Sequence, residues 1–315
     1  MTSVGVSRAL GLVLGHLADR RLSDPRRGHP VAGFGRAAAA LERRTYADSR
    51  ARGVVHLTLL AGAAAGVGLA LELRARRHPL AHTLLTAAAT WTVLGGTSLA
   101  REASAVHDLL AADDLPGARR RLTHLVGRDT SVLDEREVSR AVVESVAENT
   151  SDAVVAPLVW GAVLGAPGLL GYRAANTLDA MIGHRGERYG RFGWASARFD
   201  DLLNLPGARL SGLLAAALAP TVGGRPSAAL RAWARDARRH PSPNAGVVEA
   251  AFAGALGVRL GGRNHYAHGV EERVLLGDGP PPDRHDIDRS VRLAGAVGTG
   301  AVAVAAVLAL RRGRD

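Results

Sequence analysis

Glu144, Glu148 and Asp152 recur at intervals of four immediately before residues 153–172, a stretch with no charged side chain. On a helix that spacing lines three acids along one face, where they repel one another unless a cation or an arginine neutralises them. Mg²⁺ takes oxygen ligands of this kind and completes its shell with phosphate oxygens and water. Asn149 and Ser151 add neutral oxygens, and a solvated stripe paired to Arg136 and Arg140 is the alternative reading.

A second polar block follows the uncharged stretch. Arg173, Asn176, Asp179 and Gly183 fall at intervals of three, three and four, one helix stripe of cation, amide, carboxylate and a bare position that a ligand can approach. His184, Arg185, Glu187, Arg188 and Arg191 come next, and with Arg198 the arginines outnumber the local acids, a surplus that suits phosphate or carboxylate groups. A purely structural network could use the same residues. Asp201 shares a helix face with Asn204 as a further Mg²⁺ contact, unless Asp200 or Asp201 caps a helix N-terminus instead. Near the other end, His240, Asn244 and Glu249 surround a Pro-rich turn in which Asn244 reads best as the cap of the next helix.

Composition removes several chemistries. The 315 residues include no cysteine, which excludes disulfides, thiolate nucleophiles, iron–sulfur clusters and Cys-ligated zinc. They include no lysine either, so all 40 basic residues are arginine and neither Schiff-base catalysis nor a P-loop lysine is available. What remains is the planar guanidinium fork that fits phosphate and carboxylate. A net charge of +11 suits nucleic acid, an anionic leaflet or an anionic substrate. Because the arginines sit between apolar runs and not on a basic face with aromatic platforms, no nucleic-acid partner is expected; the charge belongs to membrane flanks, with a minority in the site.

Those blocks must be held by membrane elements. The chain is 47% apolar but only 4% aromatic, and its 38 glycines suit helices that approach closely in lipid. A spanning helix needs about 20 mostly apolar residues. Segments 53–73, 80–100 and 293–310 qualify, as does 153–172 with Pro157 and Pro167; 205–222 and 4–18 are weaker, and 245–256 is too short to cross. Segment 4–18 lacks the basic run and cleavage site of a signal peptide and reads as retained. Gly11 and Gly15, Gly62 and Gly66, and Gly161 and Gly165 are each four apart, which permits backbone contact between helices.

Two basic connectors, 20–52 and 74–77, flank a single span, so one of them defies the positive-inside rule. A full crossing by 153–172 would likewise separate the two polar blocks, so its prolines are expected to bend or break it until it is re-entrant or lines a cavity. Residues 101–152 and 223–292 read as largely extramembrane, with a helix starting near Ser131 and Glu135 in SVLDEREV. Pro280, Pro281 and Pro282 mark an exposed link, and strand-like alternation is almost absent. The expectation is an all-α polytopic integral membrane protein, one domain over 1–315, multi-pass in the cell membrane.

DPRRGHPV, GRDT from Gly127, ESVAENTSDAVVAPL, YRAANTLDAMIGH, ERYGRFGWASARFDDLLN and HPSPNAG followed by GALGVRLGG run in order along nearly the whole chain. In these motifs the sequence resembles the CbiB/CobD family of cobalamin biosynthesis, the adenosylcobinamide-phosphate synthases. One departure is Ser23 before Asp24 and Pro25, where the family tends to carry glycine. The resemblance implies an ATP-dependent amide ligation in which a propionate carboxylate of adenosylcobyric acid, a cobalt corrinoid, is joined to the amine of aminopropanol or its phosphate. ATP and Mg²⁺ are the implied cofactors, and other late enzymes of the pathway are candidate partners.

Under that implication Glu144, Glu148, Asp152, Asp179 and Asp201 are expected to hold Mg²⁺, and Asp179, His184 and Glu148 to do the chemistry. Asn149, Arg173, Asn176, Arg185, Glu187, Arg188, Arg191, Arg198 and Asn244 are expected to bind substrates. An acyl phosphate is the expected intermediate, with arginines stabilising the transferred phosphoryl and His184 taking the amine proton. Two rivals are an intramembrane Mg²⁺-dependent prenyltransferase, which should need closer-spaced Asp motifs, and a transporter, whose charges would lie mid-span.

Overall fold

Fourteen prolines and 38 glycines punctuate an otherwise helix-forming sequence, and the elements begin and end at them. The computed structural model describes residues 4–23, 28–184, 186–266 and 269–312, without the side chains of residues 265, 266, 270 and 271. In chain order the helices are α1 (Val4–Leu22), α2 (Pro30–Thr45), α3 (Arg50–Ala75), α4 (Pro79–Val93), α5 (Gly96–Ala111), α6 (Leu115–Leu122) and α7 (Glu135–Thr150). A π-helical turn, Ser151–Val155, leads into α8 (Ala156–Leu164), α9 (Ala166–Ile182), α10 (Trp194–Leu218), α11 (Pro226–Asp236) and α12 (Ala245–Leu256). Strands β1 (Leu260–Tyr266) and β2 (Gly269–Leu276) form an antiparallel hairpin before α13 (Arg284–Arg312). The chain forms two compact units, one of residues 1–95, 152–207 and 301–315, the other of 96–151 and 208–300.

In the first unit, small residues set the helix contacts. At Gly15 a Cβ would come within 2.6 Å of the Ala87 carbonyl oxygen, and at Gly11 within 2.8 Å of that of Thr83, so α1 lies directly on the α4 backbone. Gly62 and Gly66, in contrast, have nothing within 4 Å of a Cβ, and that pair makes no helix contact. Gly165 takes φ +73° and ends α8, and Pro167 stands in the first turn of α9. The expected break in 153–172 is therefore present, as two short helices. Segment 80–100 is not one helix as expected: α4 stops at Val93, and the Gly95 N–H turns to the Ala153 carbonyl at 3.1 Å.

A buried ionic group ties this unit together. Glu72, 6% exposed, accepts from Arg8 Nη2 at 2.7 Å and from the Ala166 N–H of α9 at 3.0 Å, and lies 2.9 Å from His82 Nε2. The Ala166 amide belongs to the first turn of α9, where backbone N–H groups lack helical partners and a carboxylate is favoured. Ser23 adopts φ +57°, a conformation that glycine takes without strain.

In the second unit α12 is buried along its whole length, with Phe252 fully enclosed. The start of α7 is a capping box of Asp134 and Glu137, not Ser131 and Glu135: Asp134 Oδ1 accepts from the Glu137 N–H at 2.8 Å, and Ser131 bonds Asp129 instead. The hairpin is the main departure from the all-α expectation. Its register shifts between Leu260 and Gly262, and Gly261 and Gly262 there take φ +83° and +94°, so the strand bulges where only glycine is unstrained. It lacks apolar alternation because Asn264, 2% exposed, turns a polar side chain inward.

Among the described residues three helices, Arg50–Ala75, Trp194–Val222 and Arg284–Arg312, are long and apolar enough to cross a membrane. The apolar window of Arg50–Ala75 is only 22% buried within the protein, so most of its leucine and valine surface faces outward, as lipid contact requires. Gly15→Ala should destabilise the protein by about 1–3 kcal/mol through forced separation of α1 and α4. Gly66→Ala should be neutral or stabilise by up to about 1 kcal/mol. Thermal unfolding in one detergent compares the two, and equal midpoints would remove the close-packing account.

Candidate functional site

Glu144 and Glu148 stand one turn apart on α7 and meet opposite fates. Glu144, 7% exposed, accepts from Arg128 Nη2 at 2.6 Å, from Arg140 Nη1 at 3.3 Å and from the Gly261 N–H at 2.9 Å. The bulge makes that amide available, and the Gly261 carbonyl accepts from Arg140 Nη1 at 2.7 Å. Asn264 Oδ1 completes the knot, accepting from Arg128 Nη1 at 2.5 Å and from Arg140 Nη1 at 3.1 Å. Burial opposes the charge on Glu144, but Arg128 and Arg140 outweigh it and hold the carboxyl below the usual carboxylate range.

Glu148 has no hydrogen bond or ion pair with any described residue. Its exposed surface opens into a cavity of about 170 Å³ lined by Arg128, Glu144, Ser145, Glu148, His240, Glu249, Asn264 and Arg273, among others. Burial raises its carboxyl above the ordinary range; Arg273 pulls it back, and Glu144 pushes it further up. Glu249, 6% exposed on α12, is raised well above the ordinary range, chiefly by burial and then by Glu144 and Glu148. His240 is kept below its usual value by burial, and its Nε2 lies 3.4 Å from Arg273 Nη1 and 3.9 Å from Glu249 Oε1. A carboxylate raised above its ordinary range beside an imidazole lowered below its own is an arrangement suited to proton transfer.

The first unit has its own polar cluster. The Tyr172 hydroxyl lies 2.9 Å from the Asp152 carbonyl in the π turn and 2.7 Å from Asn204 Oδ1. Asp200, 8% exposed inside α10, accepts from Asn204 Nδ2 at 2.8 Å and from Asn176 Nδ2 at 3.3 Å, and feels the like charge of Asp179. Asp200 is interior to its helix, so it caps nothing.

Placement separates the residues singled out in the sequence. Glu144, Glu148, Asn149 and Asn244 belong to the second unit, and Asp152, Arg173, Asn176, Asp179, His184, Glu187, Arg188, Arg191, Arg198 and Asp201 to the first. Arg185 lies outside the described residues. The stripe of three acids on one α-helical face is reduced to Glu144 and Glu148, because Asp152 sits in the π turn. Several arginines are matched by acids: Arg188 to Glu42 at 3.0 Å, Arg191 to Asp48 at 3.6 Å and Arg198 to Asp201 at 3.4 Å. His184 is exposed, with its ring edge-on to Tyr189. Asn244 does not cap α12 with its side chain; Oδ1 accepts from Arg209 at 2.6 Å, while Ser242 Oγ accepts the Ala245 N–H at 3.2 Å. Asn149 bonds back along α7 to the Ser145 carbonyl at 2.9 Å. Among the described residues no three His, Asp or Glu side chains converge as a ready-made metal site.

The family described as CobD/Cbib protein matches residues 12–294. A cobalamin biosynthesis protein CobD of Mycobacterium bovis is 55% identical over 311 residues, 98% of each chain. The protein of the same name from Geobacter metallireducens is 48% identical over 267 residues, covering 83% of this chain and 84% of its own. The chain belongs to the CobD/CbiB family. No solved structure matches it. Membership gives it an enzymatic role in cobalamin biosynthesis, and the family resemblance seen in ESVAENTSDAVVAPL and GALGVRLGG now has a physical content: the first supplies Glu144 and Glu148, the second the bulge that binds Glu144. Arg128 lies inside GRDT, a motif whose spacing carries no role for it. Asn264 and Arg273 gave no signal, because no spacing rule links a hairpin to a distant helix.

Glu144→Gln leaves Arg128 and Arg140 buried without a countercharge and should destabilise the protein by about 3–5 kcal/mol in unfolding measurements. Because the folded carboxyl is depressed, its contribution is present above the unfolded value of about 4.3 and is lost as pH falls through the lowered one. A half-buried control outside the knot, Glu137→Gln, should cost about 1 kcal/mol or less. Equal losses for the two would remove the ionic knot from this account.

Proposed function

We propose that this chain forms the amide bond between a propionate carboxylate of adenosylcobyric acid and the amine of aminopropanol or its phosphate, using ATP, as a multi-pass protein of the cell membrane. The observation that carries this reading is Glu148, a carboxylate without a hydrogen-bond partner at a polar cavity that also holds His240, Arg128 and Arg273. Amide formation needs a free amine next to an activated carboxyl, hence a proton acceptor more basic than an ordinary carboxylate. Glu148 meets that need better than the exposed His184.

ATP when bound supplies the phosphoryl that turns a propionate oxygen into a leaving group. The remaining demands fall on the protein. The amine nitrogen forms the C–N bond as the C–O bond to phosphate breaks, phosphate departs, and the proton released by the amine passes to Glu148. Mg²⁺ commonly binds through one or two carboxylates and substrate phosphates. Asp179 with Asp200, Asn176 and Asn204 offers hard oxygens and a like-charge pair that a cation relieves, so these residues fit the ion; Glu144 and Asp201 are already committed to arginines. The apolar outer face of Arg50–Ala75 supports the membrane assignment.

Membranes containing the protein, given adenosylcobyric acid, ATP, Mg²⁺ and aminopropanol phosphate, should yield a corrinoid heavier by the amino-alcohol residue. No mass gain with active controls would sink the ligase reading. Glu148→Gln should lower kcat by about 10²–10⁴. The wild-type rate should fall as pH drops, with an acid limb above the ordinary carboxylate range that the variant lacks; an unchanged limb would assign the proton to another group.

A further inference from the structure

The enclosed end of the cavity has a feature that catalysis by Glu148 does not use. Glu249 lines it from α12 at 6% exposure and makes no hydrogen bond to any described residue. His240 Nε2 lies 3.9 Å from its Oε1, beyond hydrogen-bond range. That nitrogen is also 3.4 Å from Arg273 Nη1, and Nδ1 lies 3.1 Å from the Ser242 N–H and 3.2 Å from the Ser242 carbonyl, so the ring has partners of its own at shorter range than Glu249. Arg128 and Arg140 are engaged by Glu144 and Asn264. A carboxyl this buried and this poorly partnered is costly for folding alone, and a donor from outside the protein would satisfy it.

Size narrows the donor. At about 170 Å³ the cavity is below the roughly 300 Å³ at which pockets for drug-sized ligands begin, so it holds a small molecule or one end of a larger one, not a whole nucleotide or corrinoid. Two carboxylates, Glu148 and Glu249, line it without hydrogen bonds of their own, and a primary ammonium brings three N–H donors on a compact cation. Resting on the amide-forming reading above, we infer that Glu249 and Glu148 together form the subsite for the ammonium end of the amine donor, a short primary alkylamine bearing a hydroxyl or phosphate. Glu249 is the binding carboxylate; the ammonium releases its first proton to solvent to give the free amine, and Glu148 takes the second as the C–N bond forms.

The test separates this subsite from the reaction. Full-length protein in detergent, without ATP or corrinoid, is titrated calorimetrically with 1-amino-2-propanol, with its O-phosphate, with 2-propyl phosphate lacking the amine, and with Mg²⁺ alone. Both amines should bind and 2-propyl phosphate should not. Glu249→Gln, isosteric with a protonated glutamate, should weaken amine binding about tenfold or more, the loss expected for a charged hydrogen bond; Glu249→Asp should restore part of it. In steady state the same Gln variant should raise KM for the amine by a similar factor and leave KM for ATP and for adenosylcobyric acid within about twofold. Unchanged amine affinity, a rise in the ATP KM instead, or Glu249-dependent binding of Mg²⁺ but of no amine would each overturn the assignment. Glu249-dependent amine binding in a protein that ligates nothing would leave the subsite standing and remove the ligase reading alone.

Discussion

A buried carboxylate between two arginines organises the second unit. Separately, Glu144, Arg128 and Arg140 would each be costly to bury; together with the Gly261 amide and Asn264 they saturate one another. The arrangement joins three distant pieces of chain, the GRDT segment, α7 and the β1 bulge, none of which could hold its polar atoms there alone. Gly261 and Gly262 are required because the bulge must present an N–H and a C=O at positive φ. The cavity is the space left beside this knot.

The same helix then serves two purposes one turn apart. Glu144 is neutralised and structural, while Glu148 faces the cavity without a partner. Fixing the first orients the second, because both ride on a helix held at its N-terminus by the Asp134 and Glu137 capping box. A carboxylate raised above its ordinary range needs this combination of desolvation and incomplete compensation. Full pairing would acidify it, as it does Glu144, and full exposure would return it to the ordinary range.

In the first unit an apolar, glycine-rich sequence places few polar groups but satisfies them by close approach. Glu72 gathers Arg8, His82 and the first turn of α9 because Gly11, Gly15 and Gly68 let helix backbones come together. A charge of this kind within a candidate membrane span is tolerable only when paired in the interior. Asp200, Asn176 and Asn204 form a second such group around Tyr172.

The sequence by itself determined the helical class, the apolar segments and the family through its ordered motifs, since each rests on composition or on spacing along one element. Its prolines also pointed to a break in 153–172, which is present at Gly165, while the polar blocks on either side fall in different units. Only the tertiary structure decided that Glu144 is neutralised while Glu148 is not, that Asp200 and not Asp201 joins the buried cluster, and that Asn264, Arg273 and Glu249 share a cavity with α7. The hairpin was illegible because its inward residues are polar, so the alternation that announces a strand is missing. Local spacing reports which residues share a face, whereas partners that meet across a fold depend on where chain segments far apart in sequence are brought to lie. No period in the sequence encodes that.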